Sequence, residues 1–487
     1  MLRSAAHAQK QCFSFNDVIE RARAAAVSPY TDNAPAPGGA LSRLTYDQYR
    51  KIRFDSRRAV WADQNSPFRL EVLPAGFLFS APVRVYLVQD GAVSEVLAGA
   101  DSFLNDSGVS LPDGRPVPLS GMRVVTRLNT PSGWDEFLVF QGASYFRAVP
   151  RNSTYGLSSR GLVIQPEKGA AEEFPAFTAF WVQKPGADDT SLAVYALLES
   201  PSVTGAYQFT VTPGDRTTIL VKAVIFARED VAGAGIAPLT SMFYFNGSNA
   251  FRTDDFRNGS HDSDGFYAVL GSGETIWRQL INPTAVSYAS FTAERPQLFG
   301  LLQRARDTQA YGDFEAQYEK RPSAWIVPGT DWPEGSADMI EIPSGNDTND
   351  NIVTFWKLRN TLAKGSSAAF SYTLVLSRDE PQSELAPVSE TRSGLPAYGD
   401  RSYRIFVVGF LNKNGRLPAV KDIGIDVQNS SGTVSGAHLE SDPVTGGVRL
   451  SFELHPEQGK TAELRARLTY RGTPVSETWL YRWSSAE

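Results

Sequence analysis

The chain has 487 residues, 42% of them hydrophobic, with 9 Trp, 18 Tyr and 28 Phe, so it can bury a large core and intrinsic disorder is excluded as its main state. Its 47 Lys and Arg against 53 Asp and Glu give a net charge of −6, spread without long blocks, which leaves no basic footprint for a phosphate backbone and disfavours nucleic acid as a partner. A single cysteine, Cys12, and four histidines exclude an intrachain disulfide framework, a Cys-rich zinc site and a CxxC redox centre.

No run approaches the roughly 18 consecutive apolar residues of a membrane-spanning helix, so no transmembrane segment is expected. At the N-terminus, Ala6-His7-Ala8 fits the small-x-small ending of a secretory signal, and residues 1–12 read as the remnant of a trimmed leader. Phe15, Val18, Ile19, Ala22 and Ala26 then recur at helical spacing behind Ser14 and Asn16 as cap candidates, predicting a short amphipathic helix over 14–26. Thr45 with Gln48 opens a second, shorter helix carrying Tyr46 and Tyr49.

Beyond about residue 68 the texture changes to short Val, Leu, Phe and Tyr runs punctuated by Gly, Pro, Asn and Asp. Residues 84–96 read as a strand, an Asp90-Gly91 turn and a second strand, and Asp113-Gly114 offers another tight turn. Further strands are predicted over 191–198, 206–212, 217–227 and 242–245. With 40 Gly and 30 Pro, the pattern predicts an all-β architecture of many antiparallel strands.

A boundary is expected near 380–400, where Asp379-Glu380-Pro381-Gln382-Ser383 leads into a polar segment ending at Gly399-Asp400. The division predicted is a domain over 13–388 and a C-terminal immunoglobulin-like sandwich over 400–487. In that second part, runs over 402–411 and 417–420 flank Asn414-Gly415, and another spans 448–454. Leu464, Ala466, Leu468 and Tyr470 share one face of a strand that puts Arg465 and Arg467 on the other.

Most catalytic motifs are absent. There is no GxxxxGK[ST] loop, strand-borne GxGxxG or HExxH, and Gly156-Leu157-Ser158-Ser159-Arg160-Gly161 is one residue too long for a GxSxG elbow. Asp347, Asn349 and Asn351 have the first spacings of a calcium loop, but Ile352 replaces its turn glycine and no Glu closes it. No metal or other cofactor is expected.

Two acidic clusters remain, His261-Asp262-Ser263-Asp264-Gly265 and Asn346-Asp347-Thr348-Asn349-Asp350-Asn351. Such clusters are ordinarily loops whose side chains bond their own backbone. Trp277, Trp325, Trp332 and Trp356 lie within about a hundred residues of them. Carbohydrate sites combine flat apolar faces with carboxylates and amides, and glycoside hydrolysis needs one protonated and one ionised carboxyl group. A tryptophan cluster is, however, more often core than sugar platform.

Several blocks are more specific. Gly142-Ala143-Ser144-Tyr145-Phe146-Arg147-Ala148, Tyr155-Gly156-Leu157-Ser158, Ser200-Pro201-Ser202-Val203-Thr204-Gly205-Ala206-Tyr207 and Ile236-Ala237-Pro238-Leu239-Thr240-Ser241-Met242 resemble blocks of the periplasmic glucans biosynthesis proteins of the G and D type. So do the His261 cluster, Phe299-Gly300-Leu301-Leu302-Gln303-Arg304, Arg321-Pro322-Ser323-Ala324-Trp325 and Thr348-Asn349-Asp350-Asn351-Ile352-Val353. The resemblance extends to Ser476-Glu477-Thr478-Trp479.

The resemblance implies a periplasmic protein acting on the β-1,2-linked glucose backbone of osmoregulated periplasmic glucans. It implies a large mutarotase-like β-supersandwich followed by an immunoglobulin-like β-sandwich. Carried over by motif, Asp350 matches the family's general acid, Asp262 its general base and Tyr318 a tyrosine in the proton path, with Asp264 the alternative base. Arg304, Arg321, Trp277, Trp325 and Asp264 become candidate substrate contacts; for the arginines a structural ion pair, and for Trp325 core packing, is the alternative. The stretch Ser344-Gly345-Asn346-Asp347 and the segment between Trp356 and Ser371 depart from the family pattern, which leaves hydrolysis and transglycosylation both open. A non-catalytic glucan-binding or assembly factor is the competing reading, and periplasmic partners or a homodimer are left open.

Overall fold

The computed structural model describes residues 12–31, 40–164, 172–250, 253–292 and 295–484; the Ala6-His7-Ala8 segment lies outside them. The architecture is all-β. A ten-stranded and a fifteen-stranded sheet lie face to face, and a four-stranded sheet packs against one end of the larger.

Strict alternation builds the main sandwich. Along Leu192–Glu199 every second residue is buried, and Leu192, Val194, Ala196 and Leu198 point into the inter-sheet core. Phe140 and Phe146 of the smaller sheet meet Phe209 of the larger with centroids 5.1 and 5.2 Å away, the spacing favoured by aromatic pairs.

The opposite face of the same strands is covered by the predicted helix, which spans Phe15–Ala26. Ser14 and Asp17 cap it, the Ser14 N–H donating to Asp17 Oδ2 at 2.7 Å. Its buried Val18 and Ala22 pack on Trp181, Ala206 and Phe226, and the Ala22 carbonyl accepts from Thr204 Oγ1 at 2.7 Å. The second predicted helix is the single turn Tyr46–Tyr49, capped by Thr45 and Gln48. Among the described residues no helix is long and apolar enough to cross a membrane.

The larger sheet does not stop where the C-terminal strands begin. Thr275–Gln279 pairs in parallel with Thr478–Ser484, bringing Trp277 opposite Trp479. Thr461–Tyr470 and Gly424–Asn429 continue the same sheet. The four-stranded sheet of Val388–Gly394, Arg404–Phe410, Val448–His455 and Thr433–Ser441 covers it, with Phe406 and Phe452 against Trp479.

One expected strand is missing. Residues 417–419 lie between the 3-10 turns Lys413–Gly415 and Val420–Asp422, and residue 420 opens the second of them. They cross from the four-stranded sheet to the large one, so Asn414-Gly415 does not close a hairpin. In Thr461–Tyr470 the predicted alternation is present, with Leu464, Ala466 and Leu468 buried; Tyr470 is only half-buried.

Candidate active site

The His261 cluster is fixed by the strands around it. Ser260–His261 pairs with Phe243–Phe245, the Asp262 N–H donates to the Met242 carbonyl at 2.8 Å and the Asp264 N–H to that of Leu302 at 2.8 Å. The Asp262 side chain is buried and forms an ion pair with Arg321. A buried carboxylate needs such a partner, because desolvation without one costs several kcal/mol.

Arg321 follows the 3-10 turn Tyr318–Lys320, which is entered through Gln317 in the left-handed region at φ 49°. Its guanidinium lies over the Tyr318 ring, 4.3 Å from the centroid, and its Nε has no hydrogen-bond partner. Space for the side chain depends on Gly156, where a Cβ would lie 2.9 Å from Arg321 Cβ. Burial, then the charge of Arg147, lowers the Arg321 pKa to about 10, against the pull of Asp347 and Asp350.

The second cluster approaches from the opposite sheet. Asn351 clamps it: its Oδ1 accepts from Phe243 N–H at 2.8 Å and its Nδ2 donates to the Phe243 and Ile342 carbonyls at 3.0 Å each. Asp350 is thereby tied to the partner of the strand that leads into Asp262. Arg147 lies 3.8 Å from the Asp350 carboxylate. Neighbouring protein atoms crowd the Asp350 carboxyl even though its side chain keeps 28% of its exposure, and this partial desolvation raises its pKa, with Arg147, Arg321 and Ser158 opposing it. The two aspartates thus share Arg321, which binds one and acts electrostatically on the other.

Tyr318 belongs to an adjoining network. Its hydroxyl accepts from Ser260 Oγ at 2.9 Å and donates to Asp347 Oδ2 at 3.1 Å. Asp347 also receives Arg257 Nη1 at 2.6 Å. Burial alone would raise the Asp347 pKa, but the bonds from Arg257, Tyr318 and Ser260 outweigh it and hold the carboxyl below its usual range.

The remaining candidates sit elsewhere. Asp264 Oδ2 accepts from the backbone N–H groups of Arg304 at 2.5 Å and Ala305 at 2.8 Å, so it fastens a loop. Arg304 is buried, donates to both oxygens of Glu477 at 2.8 and 2.7 Å and to Glu380 at 3.1 Å, and stacks 3.7 Å from the Trp277 ring centre. It ties the main sandwich to the C-terminal strands, the ion-pair alternative weighed from sequence. Trp277 is 2% and Trp325 5% exposed, so neither offers a ring face to a sugar; both pack in the core around Trp479.

What faces solvent beside Asp350 is a cleft of about 460 Å³ lined by Leu78, Phe79, Gln141, Tyr145 and Arg147. Leu78 is 77% exposed. Arg147, Asp347 and Arg257 were missed as site residues. Arg147 sits in the 142–148 block, to which the resemblance assigns no role for it, Asp347 reads as a loop residue and as a calcium-loop position, and Arg257 carries no local signal.

A family described as periplasmic glucan biosynthesis protein, MdoG, matches residues 13–483. Glucans biosynthesis protein G of Shewanella frigidimarina is 40% identical over 480 residues, covering 97% of this chain and 85% of that protein. Glucans biosynthesis protein G of Vibrio cholerae is also 40% identical over 480 residues, 97% of this chain and 87% of that one. Glucans biosynthesis protein G 1 of Shewanella oneidensis matches at 40% over 478 residues.

Proposed function

This chain belongs to the periplasmic glucan biosynthesis protein family, and from that premise we propose that it works in the periplasm on the β-1,2-linked glucose backbone of periplasmic glucans. In this reading it is an inverting hydrolase or transglycosylase with Asp350 as acid and Asp262 as base. The observation that carries the reading is the contrast between the two carboxyl groups. Desolvation in the cleft favours the protonated form of Asp350, as a proton donor requires, although its side chain keeps 28% of its exposure, while Asp262 is buried and ion-paired with a guanidinium; separating two carboxyl groups in this way is how one site holds acid and base together.

Asp350 gives its proton to the glycosidic oxygen as the C1–O bond breaks, and a water oxygen bonds to C1 from the opposite face while its proton passes to Asp262. With a sugar hydroxyl in place of water, the same transfer makes a new glycosidic bond. Tyr318 lies beneath Arg321, the partner of the base, and its one hydroxyl, bonded to Ser260 and Asp347, is in this reading a proton relay. The cleft walls of Leu78, Phe79 and Tyr145 offer apolar contact to sugar C–H groups.

A second reading, a non-catalytic glucan-binding or assembly factor, draws on one observation: an aspartate paired with Arg321 is a weak base until that pair opens. Asp350→Asn separates the two. The catalytic reading predicts that the variant still binds linear β-1,2-glucan and loses turnover by about 10²- to 10⁴-fold. Glucan left unchanged by the wild-type protein at high concentration, with binding intact, would establish the binding factor instead.

A further inference from the structure

A row of side chains leads away from the cleft beside Asp350. On the ten-stranded sheet, Glu71, Arg123, Val139 and Arg147 are successive cross-strand neighbours, so their side chains form one row on the face turned away from the core. Arg147 Nε continues the row by donating to Ser158 Oγ at 2.7 Å. With strands about 4.8 Å apart, Glu71 lies roughly 14 Å from Arg147. Tyr155 lies within electrostatic reach of Glu136, Arg123 and Arg147, and burial raises its pKa.

At the far end is a separate cavity of about 190 Å³, room for about one sugar ring, lined by Arg69, Glu71, Arg123, Trp134 and Glu136. It is built rather than incidental. Glu71 is 2% exposed, and Arg123 is held by Glu71 at 2.6 Å and Glu136 at 2.8 Å. Arg69 lies 3.9 Å from the centre of the Trp134 ring, and its buried Nε has no hydrogen-bond partner. An unsatisfied buried donor is uncommon and costs about 1 to 3 kcal/mol; the bond from Arg69 Nη2 to the Ala62 carbonyl is long at 3.3 Å, which leaves the outer guanidinium nitrogens for a ligand acceptor.

We propose that this cavity is a remote subsite for one ring of a neutral carbohydrate chain whose reacting end lies at Asp350. The chemistry favours a hydroxylated ring over an anion. Two carboxylates face the guanidinium groups, so charge is nearly balanced and acceptors stand next to donors, as hydroxyl groups require. Trp134, which carries Arg69 and Arg127 over its ring, lines the cavity and leaves its remaining apolar surface for C–H groups. The roughly 14 Å between the ends is bridged by a few sugar units, so the subsite acts on chain length: short oligosaccharides leave it empty. Binding energy gained there, away from the reacting bond, is available to orient the chain at the carboxyl pair.

The proposal rests on the glucan reading above, and the test keeps the two apart. Binding of β-1,2-linked oligosaccharides from disaccharide to decasaccharide is measured by calorimetry on the inactive Asp350→Asn protein, alone and combined with Arg69→Met or Trp134→Ala. Affinity is expected to step up once the chain reaches the subsite. Each added substitution should erase that step, lowering long-chain affinity by about tenfold while leaving short-chain affinity unchanged, which also shows that the fold is intact. A step that survives both substitutions, or loss shared equally by short and long chains, overturns the remote subsite. No binding at any length overturns the glucan reading itself, and inorganic phosphate competing for the step would replace the neutral ring with an anion.

Discussion

Arg321 forms a buried ion pair with Asp262 while its charge also reaches Asp350, so a single guanidinium couples two aspartates that lie 88 positions apart in sequence. Removing it leaves Asp262 buried without a partner. Arg321→Ala is expected to destabilise the protein by about 3 to 5 kcal/mol, read as a lower denaturant midpoint. Arg321→Lys keeps a charge but not the planar fork and should recover much of the stability and less of the activity.

The pH dependence follows from Asp350. Its native pKa is raised, chiefly by burial, with Arg147 pulling it down. Activity that requires the protonated acid therefore falls as pH rises through that value. Arg147→Met removes an opposing charge, so the alkaline limb of kcat should move to higher pH; a limb that stays put or moves down contradicts the acid role. The sign for stability is opposite to that of an ordinary ion-paired carboxylate: stabilisation is complete below the unfolded value and lost as pH rises through the raised native one. Asp350→Asn should accordingly be at least as stable as the wild type at neutral pH.

Gly156 tests how closely Arg321 must be held. A Cβ there would stand 2.9 Å from Arg321 Cβ, closer than side chains pack, so Gly156→Ala must displace the arginine. We expect about 1 to 3 kcal/mol of lost stability and a fall in kcat larger than the change in KM. An unchanged kcat would mean that the position of Arg321 is not critical.

Tyr318→Phe removes one hydroxyl and leaves the ring under Arg321. The bonds to Ser260 and Asp347 are lost, at about 1 kcal/mol of stability. If the hydroxyl relays a proton, kcat drops by at least tenfold with KM unchanged. Equal kcat in variant and wild type would confine Tyr318 to holding Asp347.

Glu477 accepts both ends of the Arg304 guanidinium and the Val388 N–H at 2.9 Å. Glu477→Ala removes the two-pronged partner of a buried arginine and leaves it only Glu380 and the Val388 carbonyl, at a cost of about 3 kcal/mol. The double variant Glu477→Ala with Arg304→Met should be less damaging than the sum of the two, a coupling measurable by a thermodynamic cycle.

The elements that local pattern defines were legible in the sequence. The helix behind Ser14, the hairpin at Asp90-Gly91 and the alternating strand through Leu464 follow from periodicity and turn residues. The parallel pairing of Trp277 with Trp479 was not, because a contact across two hundred residues leaves no local trace. The same limit applies to the site. Asp262, Arg321 and Asp350 were named by motif, but their convergence depends on Asn351 clasping Phe243. Arg304 and Trp277, chosen as sugar contacts, are drawn into the join between sandwiches, because Glu477 lies at the start of a strand whose pairing the sequence did not reveal. Asp347 was read as a loop residue; Arg257, which gives it a role, sits ninety positions away.

The central claim concerns the stereochemistry of one bond. Linear β-1,2-glucan is incubated with the wild-type protein and the anomeric protons are followed by NMR from the earliest times, with Asp350→Asn as control. The account predicts that newly released reducing ends, or newly formed linkages, first appear in the α configuration and that the control forms neither. Products that first appear in the β configuration, or unaltered glucan at high protein concentration, would contradict it.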